Sequence, residues 1–188
     1  MANTDSPRGF TPVKMLDGSP WQGQVRTIGP ADSADIFIGD LINLESGLAD
    51  PAVTSDVAIL GVCVGAGKKN QEGLIGSMVN PGSLDTAGYY DDSISTHTDF
   101  VIYYVPVKNL IMSVQTAVDL SASVVGDTLD ITGVSGNTTT GRSIMEVTTS
   151  SNTDVTIVEL PQIVGNDLTL INATVYVMVD EANQAYHV

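Results

Sequence analysis

At 188 residues, 43% of them hydrophobic and 15% charged, the chain is long enough for one domain with its own core and too apolar to stay disordered. Its net charge of −15, with 17 Asp and 5 Glu against 7 Lys plus Arg, repels phosphate backbones and anionic lipid, which argues against nucleic acid and membrane as partners. Cys63 is the only cysteine, which excludes an intrachain disulfide and a cysteine metal cluster.

The 23 Val and 19 Thr favour pleated structure, because β-branched side chains lose rotamer freedom in a helix and pack well on a sheet. Residues 1–30 hold four of the eight prolines, Pro7, Pro12, Pro20 and Pro30, and read as an extended arm. Phe10, Val13, Met15, Leu16 and Trp21 stand between them, so the arm must lay apolar groups on something. It either wraps its own domain or reaches a neighbouring subunit. The opening Met1–Pro7 lacks the charged and apolar regions of a signal peptide, and the expectation is a soluble protein made in a cytosol.

From Ala31 onward, short apolar runs alternate with Gly, Asn, Asp and Ser. Val57 to Val64 and Phe100 to Val105 are apolar at successive positions and predict strands buried on both faces, the second one stopped by Pro106. Val57 to Ala66 is the longest apolar stretch, too short to span a bilayer. Gly65-Ala66-Gly67-Lys68-Lys69 reads as a tight hairpin with two exposed lysines. Gln115 to Ala122 is the one segment with the pattern of a short helix. Leu129 and Ile131, then Val155 to Leu160, predict strands. Ile171, Ala173, Val175, Val177 and Val179 predict one face of a last strand. The pattern predicts an all-β fold over 31–188, a β-barrel or sandwich of short antiparallel strands with at most one or two short helices.

Catalytic signatures are incomplete. The Gly65–Lys69 run has Val62 and Lys69 where a phosphate loop needs Gly and Ser or Thr, and Asn70 where a dinucleotide fingerprint needs its third Gly. No Gly-x-Ser-x-Gly elbow is present, and His97 and His187 are the only imidazoles for a triad. Asp91, Asp92, His97 and Asp99 form the best candidate metal cluster, but their spacing fits an exposed acidic loop better. The expectation is a protein that is not an enzyme, with no catalytic residue, metal or cofactor.

Several segments, taken in order, resemble a family of small tailed-phage head proteins that decorate or cement the capsid. Gly9-Phe10-Thr11-Pro12-Val13 and Gly18-Ser19-Pro20-Trp21-Gln22-Gly23 are similar to the start of that family. Phe37-Ile38-Gly39-Asp40-Leu41-Ile42 and Ile59-Leu60-Gly61-Val62 resemble its first two barrel strands, and Gly136 to Ser143 resembles a turn before its last strand pair. The resemblance implies a barrel on the outer capsid face, bound to the major capsid protein and self-associating as a dimer or trimer. On that reading Phe10, Met15, Leu16 and Trp21 are apolar anchors on the partner, and Lys14 and Arg26 pair with its acidic groups. Arg142, the only Lys or Arg in the last eighty residues, is expected to tie the Gly141 turn to a carboxylate or to carbonyls. The alternative is a head-fibre or host-glycan-binding adhesin module, whose mark would be a concave cluster of aromatics.

Overall fold

The computed structural model of the protein describes residues 3–31, 34–68, 89–93, 97–120, 125–149, 151–161 and 164–185. In chain order its strands are β1 (Thr11–Met15), β2 (Arg26–Ile28), β3 (Leu41–Glu45), β4 (Leu48–Pro51), β5 (Ile59–Lys68), β6 (Phe100–Pro106) and β7 (Leu110–Gln115). They continue with β8 (Thr128–Thr132), β9 (Gly136–Asn137), β10 (Arg142–Ser143), β11 (Glu146–Thr149), β12 (Val155–Glu159) and β13 (Thr174–Val179). The helical content of the described residues is three short 3-10 turns, Trp21–Gln24, His97–Asp99 and Glu181–Asn183.

The strands form a six-stranded sheet, β1-β7-β13-β12-β8-β11, a five-stranded sheet, β2-β6-β5-β3-β4, and the small ladder β9-β10. All these ladders are antiparallel. The two larger sheets pack face to face as an all-β sandwich, and neither closes into a barrel. Single bridges, Thr116 to Val147 in one sheet and Pro30 to Ala49 in the other, show each sheet curling back on itself.

Strand burial follows the residue pattern. On β13 the buried positions are Val175, Val177 and Val179, so one face meets the core and the other is partly solvated. Ile171, expected on that face, lies before the strand and is exposed. β5 and β6 are apolar without alternation because the five-stranded sheet is covered on both sides. Leu41, Ile59, Val62 and Val105 join the main core between the sheets, with Met112, Leu129, Val155 and Val177 from the other sheet. Ile42, Leu60, Cys63 and Ile102 face a second core, closed by Ile36, Tyr90 and Phe100. Cys63 is a small core hydrophobe there. Burial, and after it the nearby Asp40 charge, pushes its thiol up and away from reactivity.

Two turns set the geometry, and a third expected one does not form. Ser46 (φ 50°) and Gly47 (φ 84°) make the two-residue β3–β4 hairpin, whose backbone requires positive φ at both centres. Pro106 is the last residue of β6, and the turn through Asn109 (φ 58°) carries the chain from one sheet to the other at β7. Gly65 to Lys68, expected to turn, instead continues β5. The bare Cα of Gly67 leaves room for the Tyr103 ring, which would stand 2.9 Å from a Cβ there.

Two further expectations need correction. The helix proposed from Gln115 does not form over the described residues. Gln115 ends β7, the Ala117 amide donates to the Val147 carbonyl, and Thr116 Oγ1 accepts from the Ala173 amide while donating to the Val118 carbonyl. Ser121 and Ala122 lie outside the described residues. The boundary placed after Pro30 is likewise absent from the packing. β1 is the outer strand of the six-stranded sheet and β2 the outer strand of the five-stranded sheet. The Ala49 amide then donates to the Gly29 carbonyl, and the Ala31 amide to the Ala49 carbonyl, so one short stretch covers both rims of the five-stranded sheet. The segment is extended, but it packs on its own domain.

Candidate partner-binding surface

The structure sorts the six proposed anchors by exposure. Phe10 is 1% exposed, a member of the main core whose amide donates to the Gly39 carbonyl at 2.7 Å. It is therefore not an anchor for a partner, which corrects the expectation: the arm's first large ring is consumed inside the fold. Trp21 opens a 3-10 turn and packs partly buried against the same core, as does Met15. Leu16 is the one of the four apolar residues that is mainly exposed, at 58%, and its amide donates a hydrogen bond to the Asn109 carbonyl at 2.7 Å. Lys14 Nζ lies 3.5 Å from Glu159 Oε2, both side chains about half exposed, a pairing worth little in solvent. Arg26 is exposed on β2 and its Nη1 donates to the Val25 carbonyl. Met15, Leu16, Asp17 and Asn109 line a shallow depression of about 300 Å³. Lys14 and Arg26 stand on different sheets, so the six residues do not converge on one patch.

Arg142 also departs from expectation. Its strand is held by the main chain: the Ile38 amide donates to the Gly141 carbonyl, and the Ser143 amide to the Ile38 carbonyl, both at 3.0 Å. Asn137 shapes the preceding turn, its Oδ1 accepting from the Thr139 and Thr140 amides, and Gly141 completes it at φ 66°. No described residue makes a hydrogen bond or ion pair with the Arg142 guanidinium, which is turned outward.

A cavity of about 410 Å³ opens where β4 and the loop before β9 approach, lined by Phe37, Asp35, Asp40, Asp50, Asp92 and Val53, among others. Phe37 is its one aromatic lining residue and is 3% exposed, stacked on Tyr89 at 4.5 Å between centroids. This cavity therefore lacks the concave aromatic cluster of a glycan site. Asp40 is 1% exposed, with Oδ2 accepting from the Phe37 amide at 2.7 Å and Oδ1 left without a hydrogen-bond partner. Burial pushes its carboxyl up to about 7, against the opposing pull of the Ser143 hydroxyl and the Phe37 amide.

The acidic cluster differs from the one read in the sequence. Among the described residues Asp35, Asp91 and Asp92 bring carboxylate oxygens within 4.8 Å of one another, whereas His97 and Asp99 form a separate 3-10 turn. Asp35 was missed because it is 56 residues from Asp91; the Ile36–Tyr90 bridge brings the two segments together. The Asp92 amide donates to Asp35 Oδ1 at 3.0 Å, and Asp91 Oδ1 accepts from the Ser93 amide and hydroxyl. Burial raises the Asp35 carboxyl, and the neighbouring aspartates add to the rise. The Asp92–Asp35 bond fastens one segment to the other, and the Asp91–Ser93 bonds shape the local turn. No family model, no curated protein and no solved structure matches the chain.

Proposed function

We propose that the protein is a structural component of a tailed-phage virion, one that binds the outer surface of the capsid and cements neighbouring copies of the major capsid protein. The observation that carries this reading is the ordered series of segments, from Gly9–Val13 through Phe37–Ile42 and Ile59–Val62 to Gly136–Ser143, that resemble capsid decoration proteins. The architecture agrees with such a role. A sandwich whose segment from Thr11 to Ala31 braces both sheets is a rigid body, and a rigid body gives up little entropy when it is fixed on a lattice. A strong negative charge keeps such a protein soluble at high local concentration. Binding across subunit seams stabilises an assembled shell by mass action, and contacts repeated by symmetry add through avidity, more so if the protein acts as a dimer or trimer.

The test is to mix the purified protein with undecorated capsids and sediment them. The protein is expected to pellet with the capsids in a saturable ratio and to raise the temperature at which they break open. A protein that stays in the supernatant at concentrations far above the capsid subunit contradicts the proposal.

A further inference from the structure

Six of the seven Lys and Arg fall among the described residues, and four of them have partners. Lys14 meets Glu159, Arg26 donates to the Val25 carbonyl, Lys68 lies over the Phe100 ring at 5.6 Å, and Lys108 is engaged by its own surroundings. Arg8 and Arg142 are the two described cations with no hydrogen bond or ion pair to a described residue. They are also neighbours, lining the same groove of about 710 Å³ although 134 positions separate them in sequence. In a chain with 22 carboxylates, chance alone would surround a cation with acids. Here the two unpaired arginines share one groove.

The main chain holds them there. Gly9 (φ 65°) and Gly39 (φ 102°) press together so closely that a Cβ on Gly39 would stand 2.3 Å from the Arg8 carbonyl, and one on Gly9 would stand 2.5 Å from Ser143 Cβ. The amides of Phe10, two residues after Arg8, and of Ser143, next to Arg142, donate to the carbonyls of Gly39 and Ile38. Both arginines thus flank one buried backbone junction that holds their two segments together. Ser6, Thr11, Asn137 and Thr140 supply further polar groups to the same groove.

We propose that this groove is the docking site for an acidic peptide segment of a partner protein, with one carboxylate accepted by Arg8 and another by Arg142. Guanidinium forks match planar carboxylates with two parallel hydrogen bonds, which favours paired Asp or Glu side chains. The volume lies within the range of about 300–1,000 Å³ typical of ligand sites. The net charge of −15 selects against long polyanions such as DNA, while a short carboxylate pair seated between two arginines feels mainly the local cations. This inference goes beyond the capsid reading and does not depend on it.

The test follows the arginine side-chain Nε–H signals of the full chain by NMR during titration with a synthetic peptide, acetyl-Gly-Glu-Asp-Glu-Asp-Gly-amide. In the wild type the Arg8 and Arg142 signals are expected to shift together and to saturate, with binding weakening as salt rises. Arg8→Gln and Arg142→Gln should each weaken binding by about tenfold or more, the double variant should abolish it, and Lys108→Gln, outside the groove, should leave it unchanged. Both arginines are exposed, so unaltered melting curves of the variants verify the fold. The proposal is overturned by a wild type that shows no saturable shift, by a double variant that binds as the wild type does, or by sodium phosphate binding as tightly as the peptide.

Discussion

Asp130 and Asp154 are buried carboxylates that accept hydrogen bonds from main-chain amides of other segments. Asp130 takes the amides of Ser151, Asn152 and Thr153 and so anchors that loop, while Asp154 takes those of Ser55 and Ile131. Nearer in sequence, Asp17 accepts from the Ser19 amide, Asp167 from Thr169 and Asp180 from Ala182, each two residues on. Such turns need a carboxylate one methylene from the backbone, which favours Asp over Glu at these positions. The triplets Asp17-Gly18-Ser19, Asp91-Asp92-Ser93 and Asp167-Leu168-Thr169 make this legible in the sequence; the long-range roles of Asp130 and Asp154 are not, because they depend on tertiary contacts. Asp40 carries a pH signature. Its carboxyl titrates at about 7 in the fold against an ordinary value of 3.8, so the native state binds more protons than the unfolded chain between those values. Its contribution therefore makes stability fall as pH rises from about 4 to about 7, with the full cost present above that. Asp35, Asp56 and Glu146, raised chiefly by burial, act in the same direction, and the lowered Asp17 and Asp167 act oppositely at the acid end. Asp40→Asn, neutral at every pH, is expected to melt near the wild type at pH 5 and well above it at pH 8. A melting difference that stays flat across that range rejects the assignment.

Among the elements, the N-terminal segment, read as extended and as wrapping its own domain or reaching a neighbour, packs on its own domain in the structure. Prolines and the absence of long alternation suggest an arm, and nothing local in residues 1–30 reveals that Phe10 enters the main core or that Gly29–Ala31 reaches β4. Pairing partners more than sixty residues away, β7 for β1 and β6 for β2, decide the matter. Strands were legible where burial is simple: on β13 alternation marks one covered face, and on β5 and β6 its absence marks two. Gln115 to Leu120 misleads because its residues suit either state, and the bridge to Val147 settles it. A chain beginning at Ala31 should consequently lose both outer strands and leave apolar surface bare. It is expected to melt far below the full protein or fail to fold, and Phe10→Ala alone should cost about 3–5 kcal/mol in denaturant unfolding. A truncated chain with an unchanged melting temperature would show that the segment is dispensable to the fold.

For the molecule as a whole, composition announces the all-β class, since Val and Thr outweigh exposed-helix formers, while the sandwich of two sheets depends on crossings such as the Pro106–Asn109 turn that patterning does not encode. The charge reads the same way at both levels. Acid is spread through turns and surface, and the two unpaired described arginines gather at one groove. What no strand pattern can supply is the partner, which is why the proposed role rests on the resemblance and is decided on the capsid itself. The most direct measurement is electron cryomicroscopy of undecorated capsids before and after incubation with the protein. Density the size of one sandwich, on the outer surface and touching adjacent major capsid protein subunits, is the predicted result. Identical maps, or added density confined to the interior or the portal vertex, would contradict the account.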